Sequence, residues 1–113
     1  MSTKKMSFPL KISALEEDIL TILSINELYG LQIRQALEKA YEGKRNITIG
    51  SLYPTLHRME KKGYVESKWG EDKPSERNGA RRKYYKISGI GEKVLKERRK
   101  VRDNLNSLEF SPA

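Results

Sequence analysis

Apolar positions recur at helical spacing along most of this chain and switch to alternation in one stretch past its midpoint. Leu15, Ile19, Ile22 and Leu23 stand at i, i+4, i+7 and i+8, so a helix would gather them on one face. Ser13 opens that helix. With Glu16 it makes the S-x-x-E pattern of a capping box, and Glu16, Glu17 and Asp18 suit the positive end of the helix dipole. Asn26 is the expected stop. Ile33, Ala36, Leu37 and Ala40 predict a second helix over 30–41, ended by Gly43. Lys44, Arg45 and Asn46 connect it to a short apolar run at 47–49, read as a strand. Leu52, Leu56 and Met59 mark the inner face of a third helix over 50–62, closed by Gly63. Pro54 has no N–H to give, which places it in that helix's first turn or at a slight kink.

Beyond Gly63 the period drops to two. In 64–69, Val65 and Trp69 share one face and Tyr64, Glu66 and Lys68 the other; in 82–88, Tyr85 and Ile87 oppose Tyr84 and Lys86. The intervening 70–81 are rich in Gly, Pro, Ser and Asn, and Asn78-Gly79 is a hairpin turn signal. Two strands with a polar loop between them make a β-hairpin. Ser88 caps a last helix over 89–108, about 30 Å long at roughly 1.5 Å per residue. Ile90, Val94, Val101, Leu105 and Leu108 fall on one stripe of it, at the spacing of a coiled-coil seam, with Arg98 interrupting. The expected organisation is a flexible basic arm at 1–12, one domain at 13–88, the long helix at 89–108 and a tail at 109–113.

Composition narrows the function. The chain has 113 residues, enough for one domain with a modest core. Lys and Arg number 23 against 15 Asp and Glu, a net charge of +8 that points to an anionic partner, nucleic acid before a membrane surface. There is no Cys and a single His, which excludes disulfide scaffolds, thiolate metal sites, Cys nucleophiles and His-rich metal sites. No apolar run approaches the roughly 20 residues that span a bilayer, and the opening residues lack the long apolar stretch of a signal peptide. A cytoplasmic protein without membrane contact is expected. No acid–base pair, metal cluster or phosphate-binding loop is present, so neither catalysis nor a cofactor is expected.

The order helix, helix, short strand, helix, hairpin, helix is that of an α+β, mainly α, winged helix-turn-helix with an added C-terminal dimerisation helix. In such domains the third helix enters a DNA major groove and the hairpin, or wing, reaches the backbone or minor groove. Sequence motifs sharpen this. The run Ile49-Gly50-Ser51-Leu52-Tyr53-Pro54-Thr55-Leu56-His57-Arg58-Met59-Glu60-Lys61-Lys62-Gly63-Tyr64-Val65 resembles the signature of the PadR family of transcriptional regulators. So do Tyr29-Gly30-Leu31-Gln32-Ile33 and Arg81-Arg82-Lys83-Tyr84-Tyr85-Lys86-Ile87-Ser88 followed by Gly91. The resemblance spans about 15–95. It departs at Tyr29, where many members carry His, and in having one C-terminal helix where larger members continue into a helical domain. The chain is thus similar to the family's short branch, which includes a clock-linked regulator. The resemblance implies a homodimeric DNA-binding repressor that dimerises through its last helix and N-terminal region. No residue here carries chemistry specific to a clock.

Several side chains are candidates for that work. On the third helix, Ser51, Tyr53, Thr55 and Arg58 lie off the apolar stripe. Thr48 and Ser51 can donate to phosphate or merely cap the helix. Tyr53 can reach phosphate or a thymine methyl, or pack on the hairpin, and Arg58 suits guanine or phosphate. On the wing, Arg77, Asn78, Arg81, Arg82 and Lys83 belong to a segment, 73–86, with six cations against Glu76 alone. That charge suits phosphate contact, although a solvated loop would look the same. His57 reads as a surface or phosphate-facing residue. Trp69 reads as a wing anchor on the third helix, or as a stacking surface for a small-molecule effector at a dimer interface. Tyr85 is expected in the core and Tyr84 exposed near DNA. Val94, Val101, Leu105 and Leu108 are the expected dimer interface, with Arg98 near its seam. The partner expected is double-stranded DNA with a palindromic operator. A winged-helix protein-interaction adaptor and an RNA-binding module are the alternatives.

Overall fold

The structure, a computed structural model, describes residues 11–70 and 82–110. Within them the chain runs α1 (Ala14–Leu23), β1 (Leu28–Tyr29), α2 (Gly30–Ala40), α3 (Ile49–Lys61), β2 (Val65–Trp69), β3 (Lys83–Ile87) and α4 (Gly89–Asn106). The expected Asn78-Gly79 turn, the wing residues Arg77, Asn78 and Arg81, most of the arm and the last three residues lie outside the described residues.

Side chains decide where the helices start. The Ser13 hydroxyl accepts from the Glu16 amide at 3.0 Å, and the Glu16 carboxylate accepts from the Ser13 amide at 2.8 Å, the reciprocal box expected from the sequence. Gln32 accepts from the Tyr29 amide at 3.1 Å at the head of α2. Thr48 accepts from the Ser51 amide at 3.2 Å at the head of α3. Ser88 accepts from the Gly91 amide at 2.9 Å at the head of α4.

Two helices end in Schellman turns. After α3, Gly63 adopts φ +82° while the Tyr64 amide donates to Met59 and the Gly63 amide to Glu60. After α2 the first left-handed residue is Glu42, at φ 57°, and Gly43 follows at φ 76°. Glycine therefore stands one position later than the usual place for the left-handed residue.

The sheet has the order β1-β3-β2, all antiparallel. β1 was not expected. Leu28 and Tyr29 alternate with nothing in sequence, but they pair with Tyr85 and Tyr84 of β3. The strand expected at 47–49 is absent: Ile47 is a core residue outside any strand, Thr48 is the α3 cap, and Ile49 is already helical. Pro54 lies in the second turn of α3 rather than the first, so the Gly50 carbonyl lacks the usual i+4 donor.

The core joins Leu15, Ile19, Leu20 and Leu23 of α1, Ile33 and Leu37 of α2, Ile47, and Leu52, Leu56 and Met59 of α3 to Tyr64, Val65, Tyr85, Val94 and Leu95. Ile12, assigned to the arm by sequence, packs against it. Val94, expected at the dimer interface, is fully buried within its own chain, because the first half of α4 lies on the core. The N-terminus of α4 is clasped to the end of α3. The Ser88 hydroxyl donates to the Gly63 carbonyl and the Ser88 amide to the Tyr64 carbonyl. Further along, Arg98 lies 3.6 Å and Arg102 3.3 Å from the Glu17 carboxylate of α1. Arg98 thus faces α1 rather than a free seam.

Candidate nucleic-acid interface

α3 presents two faces of opposite character. Leu52, Leu56 and Met59 are fully buried, each stabilising the helix position by roughly 1.5–3 kcal/mol. The other face is turned outward and carries Ile49, Gly50, Ser51, Tyr53, Pro54, His57, Arg58 and Lys61. Ile49 is 53% and Tyr53 41% exposed, so a monomer leaves both available to a base edge or a sugar. Four of the five residues expected at this interface, Thr48, Ser51, Tyr53 and Arg58, are exposed there.

Thr55 is the exception and corrects the expectation. It is buried, and its hydroxyl donates to the Ser51 carbonyl at 2.7 Å. That local bond satisfies the polar group and lets a threonine occupy the inner side. It reaches the outer face indirectly, by accepting from Arg58 at 3.3 Å.

Tyr53 is positioned by a glycine. A Cβ on Gly30 would stand 2.6 Å from Cε1 and Cζ of the Tyr53 ring. The ring therefore lies over the first residue of α2. This joins the Tyr29-Gly30 and Ser51-Leu52-Tyr53 motifs, which are separate in sequence, into one surface. Ile49 was missed as a site residue because it reads as a strand position; the cap on Thr48 makes it the first helical residue and exposes it.

The wing root is ordered by rings and charges. The Arg82 guanidinium lies 4.5 Å from the Tyr29 ring centroid, and Tyr29 meets Tyr84 edge-on at 5.4 Å. Trp69, expected against α3, is 56% exposed instead. It is the last residue of β2, while Tyr64, expected on the face opposite Val65, is buried just before the strand begins. Tyr85 is in the core as expected. Its phenol pKa is raised above 10.0 by burial first, then by the negative charge of Glu60 and by Tyr53. Lys83 is held at 3.6 Å from Glu60 of α3.

The stripe on α4 changes character along its length. Val94 is buried, Arg98 meets Glu17, Val101 is half-buried and Leu105 is 62% exposed; the helix ends at Asn106, short of the expected 108, so Leu108 at 58% and Phe110 at 86% exposure lie past its end. Among the described residues no helix is long and apolar enough to cross a membrane, and no group of three His, Asp or Glu side chains could hold a metal ion.

A helix-turn-helix whose second helix presents a polar outer face, followed by a two-stranded hairpin, defines a winged-helix protein of the DNA-binding class. The chain belongs to the transcriptional regulator PadR-like family, whose pattern matches residues 19–97. That is a family of regulators, not of enzymes. Over 83 residues the chain is 30% identical to an uncharacterized protein of Lysinibacillus sphaericus, covering 74% of this chain and 72% of the relative. Among solved structures it is similar to a PadR-like transcription factor from Bacteroides fragilis. The TM-score is 0.71 at 33% identity, with 81% of this chain and 82% of that one covered. It is also similar to a PadR-like transcriptional regulator from Bacillus cereus, with a TM-score of 0.63, 31% identity, and 84% and 93% covered.

Proposed function

We propose that this chain is a homodimeric, sequence-selective repressor that reads a palindromic duplex. The observation that carries the reading is the outer face of α3, fixed from behind by three fully buried side chains and exposing Ile49 and Tyr53 beside Ser51 and Arg58. Apolar groups at the helix start suit thymine methyls, and Arg58 suits guanine or phosphate. The wing cations Arg77, Arg81 and Arg82 would supply phosphate or minor-groove contact. The net charge of +8 agrees with such a partner.

Dimerisation is supported by the far half of α4. Past Arg102, Leu105 in the last turn of α4 continues a stripe that covers core further back, Leu108 follows just beyond the helix end, and both are mostly exposed. A second copy related by two-fold symmetry would bury them and set two recognition helices about 34 Å apart, one turn of DNA. Repression is the simpler sign of regulation, since a bound dimer need only occupy its site. A small-molecule effector, where one acts, belongs between the two copies. No described residue ties this regulation to a clock.

The test is Tyr53→Ala and Arg58→Ala against a selected duplex and a scrambled one. Each variant is expected to lose roughly 5–150-fold on the selected duplex, about 1–3 kcal/mol per base contact, and far less on the scrambled one. Equal losses on both would reduce α3 to a phosphate contact. Stronger binding to RNA, or none to any nucleic acid, would favour the RNA or adaptor reading.

A further inference from the structure

The wing is basic, yet one of its lysines is occupied. Lys83, the first residue of β3, holds its ammonium 3.6 Å from Glu60 Oε1. The same ammonium lies 5.7 Å from the Trp69 ring centroid and 5.9 Å from that of Tyr85. The other oxygen of Glu60 accepts a hydrogen bond from Ser67 of β2 at 2.5 Å. One carboxylate on the last turn of α3 is thereby bound to both strands of the wing. The register places Trp69 directly opposite Lys83 and Ser67 opposite Tyr85, so the contacts form one block. For Lys83 to reach a phosphate it would have to leave a carboxylate and two ring faces.

We propose that Glu60 is a positioning residue, which clamps the wing to the recognition helix through Ser67 and Lys83 and withholds Lys83 from the DNA backbone. The inference rests on the DNA-binding reading above and deepens it. Selectivity requires the wing to meet the backbone only when α3 is seated on the right bases. A rigid link between the two makes wing contacts depend on that seating, whereas a loose basic wing would grip any duplex. Lys83 then contributes to geometry and not to counterion release, and the phosphate contacts of the wing fall to its remaining cations.

The test is a set of salt titrations on a selected and a scrambled duplex, with wild type, Lys83→Ala, Glu60→Gln and the double variant. Each phosphate contact adds about 0.9 to the log–log salt slope. Lys83→Ala alone is expected to leave the slope as in wild type. Glu60→Gln keeps an acceptor for Ser67 but frees Lys83. Its slope is expected to steepen by about 0.9, an extra loss of about 3.5-fold between about 50 and about 200 mM salt. Affinity for the scrambled duplex should rise with it, and the double variant should return to the wild-type slope. A slope that falls by about 0.9 in Lys83→Ala would make Lys83 an ordinary phosphate contact and overturn the proposal, as would an unchanged slope in Glu60→Gln. Side-chain relaxation of the free protein gives a readout without DNA. Lys83 is expected to be the more ordered of the two when set against Lys86, which is mostly exposed and meets Glu66 at 3.8 Å on the open surface. Equal disorder would refute the clamp. A wild type that binds no duplex, with Lys83 ordered, would refute the DNA-binding reading instead.

Discussion

Gly91→Ala sets two effects of opposite sign against each other. Gly91 lies in the first turn of α4, where alanine is the better helix former by up to about 1 kcal/mol. Its added Cβ, however, would overlap the Tyr64 carbonyl oxygen and stand 2.9 Å from Ile87 Cγ1. The carbonyl is backbone and cannot rotate away. It also accepts from the Ser88 amide at 3.0 Å, so a retreat of α4 strains the clasp that starts the helix. Overpacking of this kind costs about 1–3 kcal/mol, and a backbone neighbour argues for the upper part of that range. After the gain in propensity, a net loss of about 1–2 kcal/mol remains. For a chain of this size that is about 4–8 °C in Tm. Gly89→Ala is the control, since a Cβ there meets nothing within 4 Å. The assay is thermal unfolding followed by circular dichroism, with all proteins at one concentration. If Gly91→Ala melts at or above wild type, propensity outweighs the contact and the close approach of α4 to the α3–β2 turn is wrong.

Other substitutions probe other parts of the account. Glu17→Gln removes the charge that Arg98 and Arg102 face, and should lower stability by at most about 1 kcal/mol, a loss that shrinks in about 1 M salt. A salt-independent loss would assign Glu17 to packing. Leu105→Asp with Leu108→Asp should give a folded monomer by sedimentation, since neither residue is buried in its own chain; a persisting dimer would move the interface elsewhere. Tyr85 ionises above 10.0 in the folded state and near that value when unfolded, so the unfolded chain releases its proton first. Stability is therefore complete below pH 10 and falls as pH rises through that value towards the folded pKa. Tyr85→Phe should flatten this alkaline decline, and an equally steep decline in the variant would remove Tyr85 from its cause.

How much could be read from the residues follows from how local each feature is. The Ser13–Glu16 box and the inward positions of α3 depend on neighbours within four residues, and both are present as expected. β1 was not visible, because two residues carry no period and their partners, Tyr84 and Tyr85, lie more than fifty positions away. Thr55 has a polar side chain and was expected to face outward; the Ser51 carbonyl accepts from its hydroxyl, so the residue can be buried. Val94 and Leu105 share one stripe of α4 by spacing, but the stripe does two jobs. It covers the chain's own core first and is exposed later, a division set by where α1 begins and not by the repeat. The outer face of α3 was legible apart from Thr55, which lies inside, and Ile49, whose place depends on where Thr48 caps the helix.

As a dimer, the protein is expected to read a defined duplex with α3 and the wing. Selection of binding sites from random duplex DNA by the purified protein, followed by a salt titration on the best site, tests it most directly. The account predicts a palindrome with half-sites about one helical turn apart and a strong preference over random DNA. It also predicts a steep negative log–log salt slope that becomes shallower in the variant carrying Arg81→Ala with Arg82→Ala. Enrichment of no sequence, with binding that depends on salt alone, would contradict it.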